Sequence, residues 1–161
     1  EVVKESWTFL RYNKRARKIM ITNALVGAVS TLVLFFLQAK LPLAGLDSAL
    51  LGPALFMMGL GAAAGAKISQ YFSGSSYVRM LLASGVGVLF AFGMTFTGRP
   101  YLMILGGFVG ALSDDFLEVR TDVLLNEMIP SGQRATLISV SSFLFSVVMI
   151  VMSTLIGWIM G

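Results

Sequence analysis

Long apolar runs separated by short charged segments dominate this chain. Four runs carry no charge over 19 to 27 residues, and a fifth begins apolar and ends charged. Because about 20 apolar residues are enough for a helix to cross the hydrocarbon core of a bilayer, the pattern predicts an all-α, multi-pass bundle of about five spans. The predicted spans are 19–39, 48–66, 80–98, 100–125 and 135–161.

Composition agrees with this pattern and excludes several kinds of chemistry. The 161 residues are 57% hydrophobic and only 12% charged, whereas soluble domains carry about 25% charged residues. The chain has neither cysteine nor histidine, which excludes disulfides, thiolate chemistry, imidazole bases and the usual zinc sites. We therefore expect no catalytic residue, no bound metal and no cofactor.

The distribution of positive charge predicts the orientation of the bundle. When the loops are assigned to alternate sides, ten of the twelve lysines and arginines share one side, and only Lys40 and Arg99 lie opposite. Positively charged loops stay in the cytoplasm, so the N-terminus is predicted to be cytoplasmic. The net charge of +4 then reflects topology, and we expect no nucleic-acid binding.

The first 18 residues precede the bundle and allow two interpretations. They form either a solvated cytoplasmic linker or a helix that lies along the membrane interface. Val3, Trp7 and Leu10 recur at helical spacing among basic residues, which favours the second interpretation, while the polarity of the segment fits the first. The transmembrane bundle is predicted to comprise residues 19–161.

An acidic stripe distinguishes the fourth predicted span. Asp114, Glu118 and Asp122 recur every four residues and share one helix face, with Asp115 beside them. Counted from Pro100 at 1.5 Å per residue, Asp114 lies about 21 Å along a span that crosses a core about 30 Å thick. A carboxylate at that depth must face a cavity, pair with a cation or be protonated.

Two roles for these acids remain open. Asp114 or Asp115 is a proton or cation site, with Glu118 on the path of a solute, or the acids are structural partners of basic residues such as Arg79 and Arg134. Nearer the interface, Glu118 can reach water, which favours the structural role there.

The small and polar residues within the predicted spans can serve either helix packing or function. Gly61 and Gly65 form one GxxxG pair, and Gly106 and Gly110 form another. Such pairs let helix backbones approach closely, and the same smooth faces allow helices to slide during gating. Ser142 and Ser146 share a face of the last span, where they either bond to a neighbouring helix or line a pore.

The segment from residue 126 to 139 reads NEMIPSGQRATLIS and includes Pro130, Ser131, Arg134 and Thr136. It resembles the cytoplasmic link between the tenth and eleventh helices of major facilitator superfamily transporters. The basic N-terminal segment and the closing Ile-Gly-Trp of residues 156–158 are also similar to the C-terminal half of that superfamily. On this alignment the chain corresponds to helices seven to eleven, and the twelfth helix and the N-terminal half lie outside it.

The resemblance implies secondary active transport of a small solute by alternating access, with proton coupling as a further hypothesis. It implies a multi-pass protein of the plasma (inner) membrane, with the lipid bilayer, the N-terminal half of the same transporter, a small solute and protons as partners. Efflux is one direction it allows. The loop at 65–74 departs from the superfamily pattern, because it lacks the Asp and the arginine-rich end of the loop signature.

A transferase is the alternative interpretation. Asp114, Asp115, Glu118 and Asp122 would then bind Mg²⁺ and a prenyl or lipid diphosphate within the membrane. Such enzymes need a second acidic cluster, and Asp47 lies on the opposite side of the predicted bundle. A membrane scaffold without transport activity is a third interpretation.

Overall fold

The computed structural model describes residues 2–160, which are helical apart from short connections and contain no strand. The predicted all-α class is therefore confirmed. Glu1 and Gly161, which the predicted N-terminal segment and last span include, lie outside the described residues. The helices are α1 (Val2–Tyr12), α2 (Lys14–Leu43), α3 (Leu51–Ser69), α4 (Tyr77–Met94), α5 (Pro100–Met128) and α6 (Arg134–Met160), with 3₁₀ turns at Ser48–Leu50, Gln70–Phe72 and Ser131–Gln133.

Four helical stretches are long and apolar enough to cross a membrane. This agrees with the membrane class predicted from composition. Helix α5 is 29 residues long, but the charges in its second half set it apart from the other four, so the count of five spans stays a prediction. The four stretches are Lys14–Leu43, Ser48–Phe72, Tyr77–Met94 and Ser131–Ile159.

Local chemistry explains why the helices begin and end away from the apolar boundaries. Helix α2 starts five residues before the predicted span, because the Asn13 side chain accepts a hydrogen bond from the Ala16 amide at 3.0 Å and caps it. Helix α4 stops at Met94, four residues before the end of the predicted 80–98 span. The residues beyond it form a turn that ends at Gly98, whose φ of 62° favours glycine.

Helix α5 lies at the centre of the bundle and packs against α2, α3 and α4. Its closest neighbour is α3. A β-carbon at Gly61 would lie 2.9 Å from the carbonyl carbon of Phe108, and one at Gly65 would lie 2.8 Å from that of Leu112, with the oxygens closer still. Glycine is therefore required at both positions for the two backbones to meet.

The second glycine pair serves the packing of α5 against α4. A β-carbon at Gly106 would lie 2.6 Å from the β-carbon of Met94, and one at Gly110 would lie 2.8 Å from that of Ala91. These contacts, with that of Gly87 and Ser113 further along, run in opposite directions on the two helices. Helices α4 and α5 are therefore antiparallel neighbours over much of their length.

Helix α6 packs mainly along α2 and leaves most of its own surface uncovered. Leu137 joins a core cluster with Met20 at one end, and Ile156 packs against Leu32 at the other. The two helices thus run in the same direction. The side of α6 that bears Phe143 is exposed.

The N-terminal segment predicted as a linker or an interfacial helix is helical over α1. Phe9 and Leu10 pack against the core cluster that contains Ile129, while Trp7 is 70% exposed. The side chain of Val3, which the prediction also used, lies outside the described part of the chain. A position at the membrane interface stays a prediction.

Exposed aromatic residues with a polar group mark both ends of the bundle. Trp7, Tyr12 and Tyr71 are exposed at the end where α2 begins, and Tyr101 and Trp158 are exposed at the other end. Tryptophan and tyrosine favour the two membrane–water interfaces. Their placement is that expected of a bundle that spans a bilayer.

Replacing Gly61 with alanine is expected to weaken the α3–α5 contact, because the new methyl group meets the Phe108 backbone. The expected loss is about 1–3 kcal/mol of unfolding free energy, read as a lower thermal unfolding temperature in detergent. Gly59, which has open space around it on the same helix, is the matched control, and Gly59→Ala is expected to have little effect. Equal unfolding temperatures for the two variants would contradict this packing.

The chain has no cysteine, so single cysteines can report whether α5 crosses the membrane. Thr97→Cys and Ser131→Cys flank α5 and are expected to react with an impermeant thiol reagent from opposite sides of sealed vesicles. Ser75→Cys is expected to share the side of Ser131→Cys. Reaction of Thr97→Cys and Ser131→Cys from the same side would restrict the bundle to four spans.

Candidate functional site

A cavity of about 490 Å³ lies between α2, α5 and α6. Asn23 and Ala24 of α2, the second half of α5 and the first half of α6 line it. Its lining is rich in polar groups, which is unusual inside an apolar bundle. The polar lining residues are Asn23, Glu118, Asp122, Asn126, Arg134, Ser141, Ser142 and Ser146.

The acidic residues of α5 do not all reach this cavity. Glu118 and Asp122 line it and are exposed to it. Asp114 lies one helical turn before Glu118 and is half-buried. Its carboxylate would be 3.6 Å from a β-carbon placed at Gly27 of α2. Asp115 points to another side of α5 and is not part of the lining. The stripe therefore divides into an exposed pair and a deeper carboxylate.

A buried serine lies next to the deepest of these carboxylates. Ser30 of α2 is 1% exposed, and its hydroxyl lies beside Asp114. The Ser30 oxygen is left without a hydrogen-bond partner among the described residues. An unsatisfied buried hydroxyl is costly, and the Asp114 carboxylate beside it is an acceptor that this hydroxyl can satisfy.

One hypothesis from the sequence was that basic side chains form ion pairs with these acids. No lysine or arginine of the described residues forms an ion pair with Asp114, Asp115, Glu118 or Asp122, whose charged neighbours are other acids. Arg134 lines the same cavity but donates its hydrogen bond to the Asn126 carbonyl at 3.1 Å.

A polar network closes the cavity on the side toward α4. The Thr121 hydroxyl of α5 donates to the Asn23 side-chain oxygen of α2 at 3.1 Å and lies 3.4 Å from the Tyr77 hydroxyl. Tyr77 of α4 also lies 3.1 Å from the Thr22 hydroxyl. Thr121 is 1% exposed. The network ties three helices together at one level of the bundle.

Two serines of α6 were predicted either to bond to a neighbouring helix or to line a pore. Ser142 and Ser146 both line the cavity, and the Ser146 hydroxyl donates to the Ser142 carbonyl at 3.0 Å. No hydrogen bond joins either hydroxyl to another helix within the part of the chain that the structure describes. Their contact is with the cavity and with their own helix.

The segment that carries the family resemblance forms the connection from α5 to α6. Pro130 precedes the 3₁₀ turn Ser131–Gln133, and its carbonyl accepts the Gln133 amide at 2.9 Å. Arg134 then reaches back to the end of α5, while Thr136 is half-buried. These two hydrogen bonds hold the connection between α5 and α6.

Metal binding was part of the alternative interpretation. Among residues 2–160, no three or more acidic side chains come close enough together to hold a metal ion.

No match was found when the chain was compared with known protein families, with curated proteins and with solved structures.

Three residues of this site were not predicted from the sequence. Gly27 lies beside the Asp114 carboxylate and the Phe145 ring. Ser30 and Thr121 look like ordinary small polar residues of apolar helices. Pairing each with its neighbour on another helix needs the fold, since the partners are more than 80 positions apart in the chain.

Water access to the cavity can be tested on α6 with two adjacent residues. Ser142→Cys faces the cavity, whereas Phe143→Cys lies on the exposed apolar side. In a bilayer, Ser142→Cys is expected to react with a small charged methanethiosulfonate at least about tenfold faster, because charged reagents do not enter lipid. Faster reaction of Phe143→Cys would show that the water-filled surface is on the other side of α6.

Proposed function

We propose that this protein takes part in secondary active transport of a small solute, and that the cavity between α2, α5 and α6 is part of the solute path. The observation that carries the proposal is a polar cavity within an apolar helical bundle, lined by carboxylates with no basic partner. Charges within membrane helices are retained mainly where they line substrate or ion pathways.

The position of the cavity supports this role. It is bounded by α6, whose surface is mostly uncovered, whereas α3 meets the α5 backbone at Gly61 and Gly65 and α4 packs closely on α5 at Gly106 and Gly110. Rocking of one helix group against another needs such a contrast between a rigid block and a looser element. We propose α3, α4 and α5 as the rigid block and α6 as the element that moves.

Alternating access also needs a second surface on the far side of the solute. The uncovered sides of α6 are compatible with a second helical bundle, in keeping with the resemblance to half of a major facilitator superfamily transporter. We propose that the partner is the N-terminal half of the same transporter and that the protein resides in the plasma (inner) membrane. Orientation with the basic end in the cytoplasm follows the distribution of positive charge.

Proton coupling is the finer part of the proposal, and Asp114 is its site. This carboxylate has acidic neighbours, a buried hydroxyl beside it and no basic partner among the described residues. A proton or a bound cation can neutralise it, and exchange between the two is the chemistry that coupling requires. Glu118, which lines the cavity, and Asp115, which lies outside its lining, are further candidates.

Coupling can be tested in proteoliposomes that enclose a pH-sensitive dye and contain the purified protein together with the proposed N-terminal half. Solutes are added in panels, and the one that evokes a proton flux is used for all variants. Asp114→Asn is expected to reduce this flux at least about tenfold, because the amide cannot exchange a proton, and Asp115→Asn is expected to have a smaller effect.

Glu127→Gln is the matched control, since Glu127 is exposed at the end of α5 and does not line the cavity. Its flux should equal that of the wild type. Unchanged proton flux in Asp114→Asn would exclude this residue as the coupling site. Mg²⁺-dependent turnover of a prenyl diphosphate, lost in Asp115→Ala, would instead support the transferase.

A further inference from the structure

A second cavity, of about 480 Å³, lies on the other side of the polar network. It is enclosed by the first turns of α2, by the segment 73–76 with the start of α4, and by α5. Arg15, Lys18 and Arg120 line it, and no acidic side chain is among its described lining residues. The remaining surface is partly apolar, from Ile19, Val78, Leu81 and Leu124.

Arg120 is the central feature of this cavity. Its side chain is only 7% exposed, and one guanidinium nitrogen donates to the Ser73 carbonyl at 3.0 Å. The Nε atom is buried without a hydrogen-bond partner. Burying an arginine removes its water and costs free energy, and one neutral acceptor without a counter-charge offsets little of that cost.

The acids of α5 do not supply the missing counter-charge. Glu118 and Asp122 are each two residues from Arg120, which places them about 160° around the helix from it. They face the first cavity, and Arg120 faces the second. The network of Thr121, Asn23 and Tyr77 stands between the two.

The start of α4 adds further donors. Ser76 precedes the helix and makes no side-chain capping bond, and the segment 73–76 lines the cavity. The amides of a helix's first turn attract anions. The start of α4 therefore lies on the same cavity as Arg120, and Arg15 and Lys18 line it with exposed side chains.

We propose that this cavity binds a phosphate group, and that the phosphate belongs to an anionic phospholipid of the leaflet at the basic end of the bundle. Arginine matches phosphate oxygens with paired donors, and basic pockets between membrane helices suit anionic headgroups. The apolar lining suits the start of an acyl chain, which a free phosphate lacks. The site is separate from the proposed solute path.

The binding of single lipids can be measured by native mass spectrometry of the delipidated protein in detergent. Phosphatidylglycerol is expected to bind at least about tenfold more tightly than phosphatidylcholine. Arg120→Gln is expected to weaken phosphatidylglycerol binding about tenfold or more, because it removes a charge-assisted hydrogen bond. Arg15→Gln with Lys18→Gln is expected to weaken it about fivefold for each cation removed.

Arg99→Gln is the matched control, because Arg99 is exposed at the opposite end of the bundle. The double variant at Arg15 and Lys18 changes only exposed side chains, so its result stands even if Arg120→Gln does not fold. Unchanged phosphatidylglycerol binding in that double variant would overturn the proposal. A parallel experiment adds millimolar inorganic phosphate to the lipid-bound protein. If phosphate displaces the lipid and the two lipids bind equally well, the cavity is a phosphate site and its assignment to a lipid is overturned.

Discussion

The backbone contact between α3 and α5 at Gly61 and Gly65 sets the position of everything else in this bundle. Because Phe108 and Leu112 of α5 meet α3 through their main chain, α5 is held deep in the protein despite its charges. Its other sides then pack on α4 and α2, and α6 packs on α2. A charged helix at the bundle's surface would turn its acids toward lipid, whereas a central one can turn them toward internal cavities.

Helix α5 separates its charges by direction. Glu118 and Asp122 face the cavity beside α6, and Arg120 faces the cavity beside α4. An acid and a base on opposite sides of one helix cannot neutralise each other through an ion pair, so each must find compensation in its own cavity. Thr121 lies between these two sides of α5, and its hydroxyl donates a hydrogen bond to the Asn23 side chain of α2. One helix thus creates two polar sites with opposite charge preference.

The apolar runs and charges of the sequence were enough to predict the helical class and the approximate place of each helix. They did not predict helix ends, because caps and turns decide those locally, as Asn13 does before α2 and Gly98 does after α4. The four-residue spacing correctly places Asp114, Glu118 and Asp122 near one face. However, each step of four residues turns about 40° beyond a full circle, which leaves Asp114 against α2 while Glu118 and Asp122 line the cavity.

The contact of Asp114 with Ser30 limits how the proposed transport could be coupled. The Ser30 hydroxyl beside Asp114 can accept a hydrogen bond from the protonated carboxyl group and can donate one to the ionised carboxylate. In its ionised form, Asp114 has only acidic charged neighbours among the described residues, so a cation or a cationic solute must supply the compensation. Under the proposed coupling, a proton and a cation would therefore compete for this one carboxylate. A solute that carries positive charge fits this competition better than an anionic one, which would also meet Glu118 and Asp122 on its way.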